Sequence, residues 1–186
     1  MEIGLENAAM LIAREAHEGQ KYGEQTYFEG HLATVVGVAH RFGVIHRPTL
    51  AACWLHDSVE DTDLTLGELK TRLGVFKSED VEFTLAIVDA VTDGIEGNRA
   101  ARKARSYALI PNVASAVIVK LFDRIANVEA SIAESKLDPK KRKLVEMYRS
   151  EQAGMKAKIA SESPSDLETE LWEHLEGLLA NCVWET

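Results

Sequence analysis

Four ionisable side chains crowd into six positions of the segment Leu55-His56-Asp57-Ser58-Val59-Glu60-Asp61-Thr62. They follow the largely apolar run Leu50 to Leu55, so His56 and Asp57 are expected to be buried. Burying such groups is costly unless they are paired or bind a cation. If the helix continues, Glu60 lies four residues beyond His56 and three beyond Asp57, and all three converge on one point. Imidazole nitrogen with carboxylate oxygen suits Mn, Fe, Co, Ni or Zn better than Ca or Mg. The competing reading is an ordinary helix terminus closed by a hydrogen-bonded pair.

A second signal lies in Val117-Ile118-Val119-Lys120-Leu121-Phe122-Asp123-Arg124-Ile125-Ala126-Asn127, where Asp123 and Asn127 share one face of a core-like helix. Asp123 would complete a ligand set and Asn127 would hydrogen-bond the ligand or substrate; alternatively Asp123 forms a buried salt bridge to Arg124 or another cation. His31 stands at an expected loop-to-helix junction, from which it can reach across to the other helices. Without that reach it is an exposed loop histidine. His17 reads as a packing or hydrogen-bonding residue, and His40, His46 and His174 as surface or structural.

Helices are needed to hold these groups, and the sequence supplies them. Apolar positions recur at helical spacing almost throughout, with no sustained alternation, so the fold class is all-α. Leu5, Ala8, Ala9, Ile12 and Ala16 give a first helix stopping near Gly19, and Gly23 to Gly30 reads as a loop anchored by Tyr27 and Phe28. A helix through Val35, Val38, Ala39 and Phe42 ends at Gly43, and Pro48-Thr49 starts the next. Thr65-Leu66-Gly67-Glu68 fits a capping box for a short helix ending at Gly74. Helices over about 81–91 and 113–128 follow, separated by the break Thr92-Asp93-Gly94 and by the basic run Arg99 to Arg105, which is either a solvated face or a phosphate clamp. Asp138-Pro139 caps a long polar helix to about Ile159, and Ser165-x-x-Glu168 is a second capping box, after the linker-like Ser161 to Ser165.

A chain of 186 residues suits one domain and buries roughly 70% of its unfolded surface, enough for a core without staples. With 46% hydrophobic and 27% charged residues, neither a disordered nor a membrane class is favoured. No apolar run approaches the ~20 residues that span a bilayer. The start, Met1-Glu2-Ile3-Gly4-Leu5-Glu6-Asn7, lacks the features of a secretory signal, so a cytoplasmic location is expected. Cys53 and Cys182 suggest neither a disulfide framework nor a zinc knuckle, and read as small buried residues. The formal net charge of −9 argues against a nucleic-acid surface. It leaves room for a small anionic ligand if local cations or a metal reverse the field inside one pocket.

At these residues the chain resembles the HD-domain alarmone hydrolases, which comprise the hydrolase half of the bifunctional RelA/SpoT enzymes and the stand-alone Mesh1-like hydrolases. Ala16-His17-Glu18-Gly19-Gln20 is similar to that family's first-helix motif, and His31 sits where it has a metal-binding histidine. His56 to Thr62 is close to the HDxxEDT signature, Val91-Thr92-Asp93-Gly94 resembles the VTDG turn, and Lys120 to Asn127 resembles the KLADRxxN helix. The motifs keep family order over about residues 8–130, followed by a helical extension over 138–186. The family's PYIxHP approach to its histidine is replaced by Thr26-Tyr27-Phe28-Glu29-Gly30-His31-Leu32, and its Arg-rich stretch after Gly-Gln is reduced to Lys21.

The resemblance implies one HD-type helical bundle over 1–186 with additional C-terminal helices. It implies a Mn²⁺-dependent hydrolase with His31, His56, Asp57 and Asp123 as ligands, removing pyrophosphate from the 3′ position of guanosine tetra- or pentaphosphate. A divalent ion can lower the pKa of water to about 7 and offset phosphoryl charge. Glu60, with Asp61 beside it, would orient or deprotonate that water. Lys120 and Arg124 by motif position, Arg102 and Lys103 by charge, and Lys21 and Asn127 are the expected substrate contacts. The alternatives are an HD phosphohydrolase acting on a deoxynucleoside monophosphate or the 2′-phosphate of NADPH, and a catalytically silent nucleotide-binding regulator.

Overall fold

Helical spacing in the sequence becomes nine α-helices among residues 3–182, the residues described by the computed structural model. Residues 1–2 and 183–186, the ends of the expected 1–186 unit and the first part of the start scanned for a signal, lie outside them. Helix α1 (Leu5–Ala16) buries Leu5, Ala9, Ile12 and Ala13. That single apolar face packs on α3 (Arg47–Leu55). Every residue of α3 from Pro48 to Leu55 is buried, as befits a helix apolar on all sides. It is enclosed by α1, α2 (Ala33–Arg41), α5 (Ser78–Val91) and α7 (Ala116–Leu137). The 22-residue α7, roughly 33 Å long at 1.5 Å per residue, also packs against α8 (Arg142–Ile159) and α9 (Asp166–Asn181).

Local signals start the remaining helices. Thr65 and Glu68 form the reciprocal capping box of α4 (Leu66–Leu73): Glu68 N donates to Thr65 Oγ1 at 3.2 Å and Thr65 N donates to Glu68 Oε2 at 2.9 Å. The basic run forms α6 (Arg99–Leu109), capped by Asn98 Oδ1 accepting from Ala101 N at 3.0 Å. Ser165 caps α9, but Glu168 does not complete a box. Its buried carboxylate accepts instead from Ser161 N, Ser161 Oγ and Trp172 Nε1. The linker-like segment is thereby tied down, and α9 lies on α7.

The structure departs from the sequence reading between Gly19 and His31. Lys21–Tyr22 (β1) and Gln25–Thr26 (β2) pair as a short antiparallel ribbon around Gly23, whose φ of +61° suits glycine. Phe28–Leu32, expected as loop and junction, is a π-helical turn running into α2. The ribbon lies close against it at Gly30, where a Cβ would sit 3.2 Å from the Gln25 side chain and 3.3 Å from Tyr22 Cβ.

Both cysteines are buried and unpaired, and no helix among the described residues is long and apolar enough to cross a membrane. The core reaches the chemistry directly. Leu32, Leu55 and Phe122 are fully buried, and each adjoins one of the candidate ligands His31, His56 and Asp123 in the chain.

Candidate functional site

Three segments meet at the centre of the bundle. The π-turn supplies His31, the end of α3 supplies His56 and Asp57, and α7 supplies Asp123. His31 Nε2 lies 3.2 Å from His56 Nε2 and 3.1 Å from Asp57 Oδ2, while His56 Nε2 is 2.9 Å from the same oxygen. Asp123 Oδ1 is 3.5 Å from His31 Nε2 and 3.8 Å from His56 Nε2. The expected continuation of the helix does not occur. α3 stops at Leu55, and hydrogen bonds from Ser58 N to Leu55 O (2.9 Å) and from Asp61 N to Asp57 O (2.8 Å) close successive turns.

Two imidazole nitrogens and two carboxylates this close require positive charge among them. Burial works to lower the His56 pKa, but Asp57 and Asp123 outweigh it and raise it to about 10. Burial likewise opposes ionisation of Asp57 and Asp123, yet the imidazoles beside Asp57, and Lys120 with His56 beside Asp123, hold both well below the usual carboxylate range. His56 Nδ1 faces Cys53 O at 2.9 Å, where it donates, leaving Nε2 as the donor atom toward the cluster. His31, His56 and Asp123 offer ligand atoms within 4.8 Å of one another, with Asp57 Oδ2 alongside. This donor set fits a divalent transition metal.

Neighbours fix the donors. Tyr27 OH donates to Asp57 Oδ2 at 2.6 Å and Asp61 Oδ2 at 3.3 Å. Asn127 Nδ2 donates to Asp123 Oδ1 at 2.5 Å and is itself held by Tyr22 OH, which donates to Asn127 Oδ1 at 3.0 Å. The cation paired with Asp123 is Lys120 (Nζ–Oδ2 3.3 Å); Arg124 turns to Glu151 Oε2 at 3.1 Å. His17 is buried outside the cluster, stacked on Tyr27 with ring centroids 4.9 Å apart and hydrogen-bonded to Gln20 Oε1 at 2.8 Å. Glu60 Oε2 accepts from Asp93 N at 3.0 Å, and burial raises its pKa against that hydrogen bond. Burial and the charge of Asp57 also raise Asp61.

A cavity of about 230 Å³ opens on this cluster. His31, Asp57, Glu60, Asp61, Lys103, Lys120, Asp123, Arg124 and Asn127 line it, and His56 is buried behind them. Lys21 and Arg102 are exposed and do not line it. Four further residues line it: Tyr27, read as a loop anchor with a role flanking the pocket left open; Arg99, from the run read as a solvated face or a phosphate clamp; Asp93, in the Thr92-Asp93-Gly94 break and given no role; and Tyr148, which carried no sequence signal. Glu151 bridges Arg99 (Nε–Oε1 2.8 Å) and Arg124.

Lys103, 9% exposed and 4.0 Å from Asp93 Oδ2, has its pKa lowered to about 8 by burial and then by Lys120, Arg124 and Arg99. Below that pH the folded chain carries the full penalty of the charged form. Between about 8 and 10.4 the unfolded chain binds the proton and the folded chain does not, so stability from this group rises with pH. Lys103→Met is therefore expected to stabilise the protein by about 3 kcal/mol at pH 7 and by less than about 1 kcal/mol at pH 10, at the expense of phosphate affinity. Urea unfolding at the two pH values checks this, and an equal gain at both would remove the charge from the explanation.

A helical bundle with two histidines and two aspartates converging from three segments, in the order His, His-Asp, Asp, is an HD domain. No protein-family model matches the chain. It is 30% identical over 126 residues to the guanosine-3′,5′-bis(diphosphate) 3′-pyrophosphohydrolase MESH1 of Xenopus tropicalis, covering 67% of this chain and 66% of that protein. It is 29% identical over 126 residues to the proteins of that name from Mus musculus and Homo sapiens. The alignment thus takes in just under two thirds of the length of these relatives. A solved structure, described as a metazoan ortholog of SpoT that hydrolyzes ppGpp and plays a role in starvation responses, shares the fold with a TM-score of 0.67. It covers 96% of this chain and 98% of its own at 18% identity. The chain is thus a homologue of the MESH1 proteins over that stretch and shares the fold of the metazoan SpoT ortholog.

Proposed function

We propose that this chain hydrolyses guanosine 3′,5′-bis(diphosphate) and its pentaphosphate counterpart at the 3′ position, with Mn²⁺ held by His31, His56, Asp57 and Asp123. The observation that carries this reading is the composition of one cavity. Three metal-type donors, His31, Asp57 and Asp123, with His56 behind them, share its lining with the cations Arg99, Lys103, Lys120 and Arg124, within a chain of net charge −9. The names of the MESH1 relatives support the choice of nucleotide. A cytoplasmic location fits such a substrate.

When bound, a divalent ion supplies Lewis-acid stabilisation of the phosphoryl oxygens and lowers the pKa of water. Lys103, Lys120 and Arg124 bind the diphosphate oxygens through charge-assisted hydrogen bonds. Glu60, oriented by the Asp93 amide and made a stronger base by burial, takes a proton from the attacking water. Asp61, anchored by Tyr27, orients that water. Oxygen adds to phosphorus, the bond from phosphorus to the 3′ oxygen breaks, that oxygen takes up a proton to become the 3′ hydroxyl, and pyrophosphate leaves the nucleoside 5′-diphosphate, or the 5′-triphosphate from the pentaphosphate.

Incubation of the purified protein with Mn²⁺ and a nucleotide panel tests the reading. Pyrophosphate from the bis(diphosphate) is expected. Orthophosphate from a deoxynucleoside monophosphate or NADPH would replace it with the other phosphohydrolase, and binding without turnover would make the chain a regulator.

A further inference from the structure

We infer that the cavity between α6 and α8 is a second phosphate compartment, holding the 5′-diphosphate of the substrate while the 3′-diphosphate occupies the cluster cavity. This rests on the reading above. At about 230 Å³ the cluster cavity falls below the ~300–1,000 Å³ typical of small-molecule sites, so it accepts a diphosphate but not the rest of a nucleoside bis(diphosphate). A second cavity of about 300 Å³ adjoins it, and the two share Arg99 and Lys103 as lining residues.

The chemistry of the second cavity suits an anion. Lys158 Nζ lies 5.6 Å and Lys103 Nζ 5.7 Å from the ring centroid of Tyr107, so two ammonium groups gather at one aromatic side chain. Arg99 adds a third cation. The carboxylate in the lining, Glu151, is already engaged by Arg99 and Arg124, and this holds its pKa down to about 2 against the effect of burial. Gly154 stands inside α8, where glycine is a poorer helix former than alanine. A Cβ there would meet nothing within 4 Å, so its missing side chain leaves the cavity open. The remote diphosphate would be held by fixed cations while the other end reacts, which favours nucleotides phosphorylated at both ends.

Titration calorimetry with guanosine 5′-diphosphate and guanosine tests this without any metal. Lys158→Glu is expected to weaken guanosine 5′-diphosphate binding by about tenfold or more and to leave guanosine binding unchanged. Gly154→Leu, which fills the cavity with a better helix former, should weaken the diphosphate similarly. Lys77→Glu reverses a charge in a groove that shares no lining residue with either cavity, and should keep wild-type affinity. Wild-type protein that does not bind guanosine 5′-diphosphate, normal affinity in both cavity variants, or an equal loss in Lys77→Glu would overturn the compartment. Absence of pyrophosphate release by the wild type would instead overturn the hydrolase reading, and the calorimetric result would still decide the phosphate site.

Discussion

Glu60→Gln is expected to lower kcat by roughly 10²–10⁴-fold, the usual contribution of a general base, with metal content and KM little changed. The amide keeps the shape of the side chain, and its oxygen can still accept from Asp93 N, so the turn after α3 should retain its geometry. What the amide cannot do is take a proton from water. Steady-state kinetics together with metal analysis of the same preparation separate the outcomes. Normal turnover would shift the role to Asp61, and loss of metal would make Glu60 a ligand.

Larger still is the effect expected at the cluster. His56→Ala or Asp57→Asn should reduce metal content to background and abolish turnover, because the first removes a donor from the proposed set of four and the second replaces an anionic donor by a neutral, weaker one. Asp57→Asn is the sharper of the two, since it preserves volume and can still accept from Tyr27 OH. Chelation of the wild-type protein should likewise stop turnover and leave the helical circular dichroism intact. Leu32, Leu55, Leu121, Phe122 and Ile125 are fully buried apolar side chains, so the core is expected to hold when the metal is removed. A variant that keeps stoichiometric metal would remove that residue from the ligand set, and unfolding on chelation would make the metal structural.

The helical skeleton was legible because its signals are local. The apolar run of α3, the Thr65–Glu68 box and the Asp138-Pro139 start each depend on residues within a few positions of one another. The two-residue strands at Lys21 and Gln25 are too short to show alternation, and a π-turn containing Gly30 has no periodicity that separates it from a loop. At the site, residue types were readable from the ordered motifs, but their pairings were not. Arg124 adjoins Asp123 in sequence, yet Lys120, three residues earlier on the helix, is the neighbour that meets it. Tyr148 enters the cavity through the packing of α6 and α8, a tertiary fact with no trace in its own segment, and the same packing brings in Arg99 from a run whose charge alone left a solvated face and a phosphate clamp equally open.

The π-turn at Phe28–Leu32 also bears on how this lineage can change. In a loop, an added or lost residue is absorbed by slack; in a helical segment each residue adds a fixed rotation of roughly a quarter turn about the axis. An insertion or deletion between Tyr27 and His31 would swing the imidazole round the axis, away from Asp57 and Asp123, whatever residue was involved. Tyr27, which joins Asp57 to Asp61 from the same segment, would lose its register with the histidine at the same step. An added residue is better tolerated at the ribbon tip, Gly23 and Glu24. There one more residue lengthens a turn and leaves the angular setting of His31 untouched.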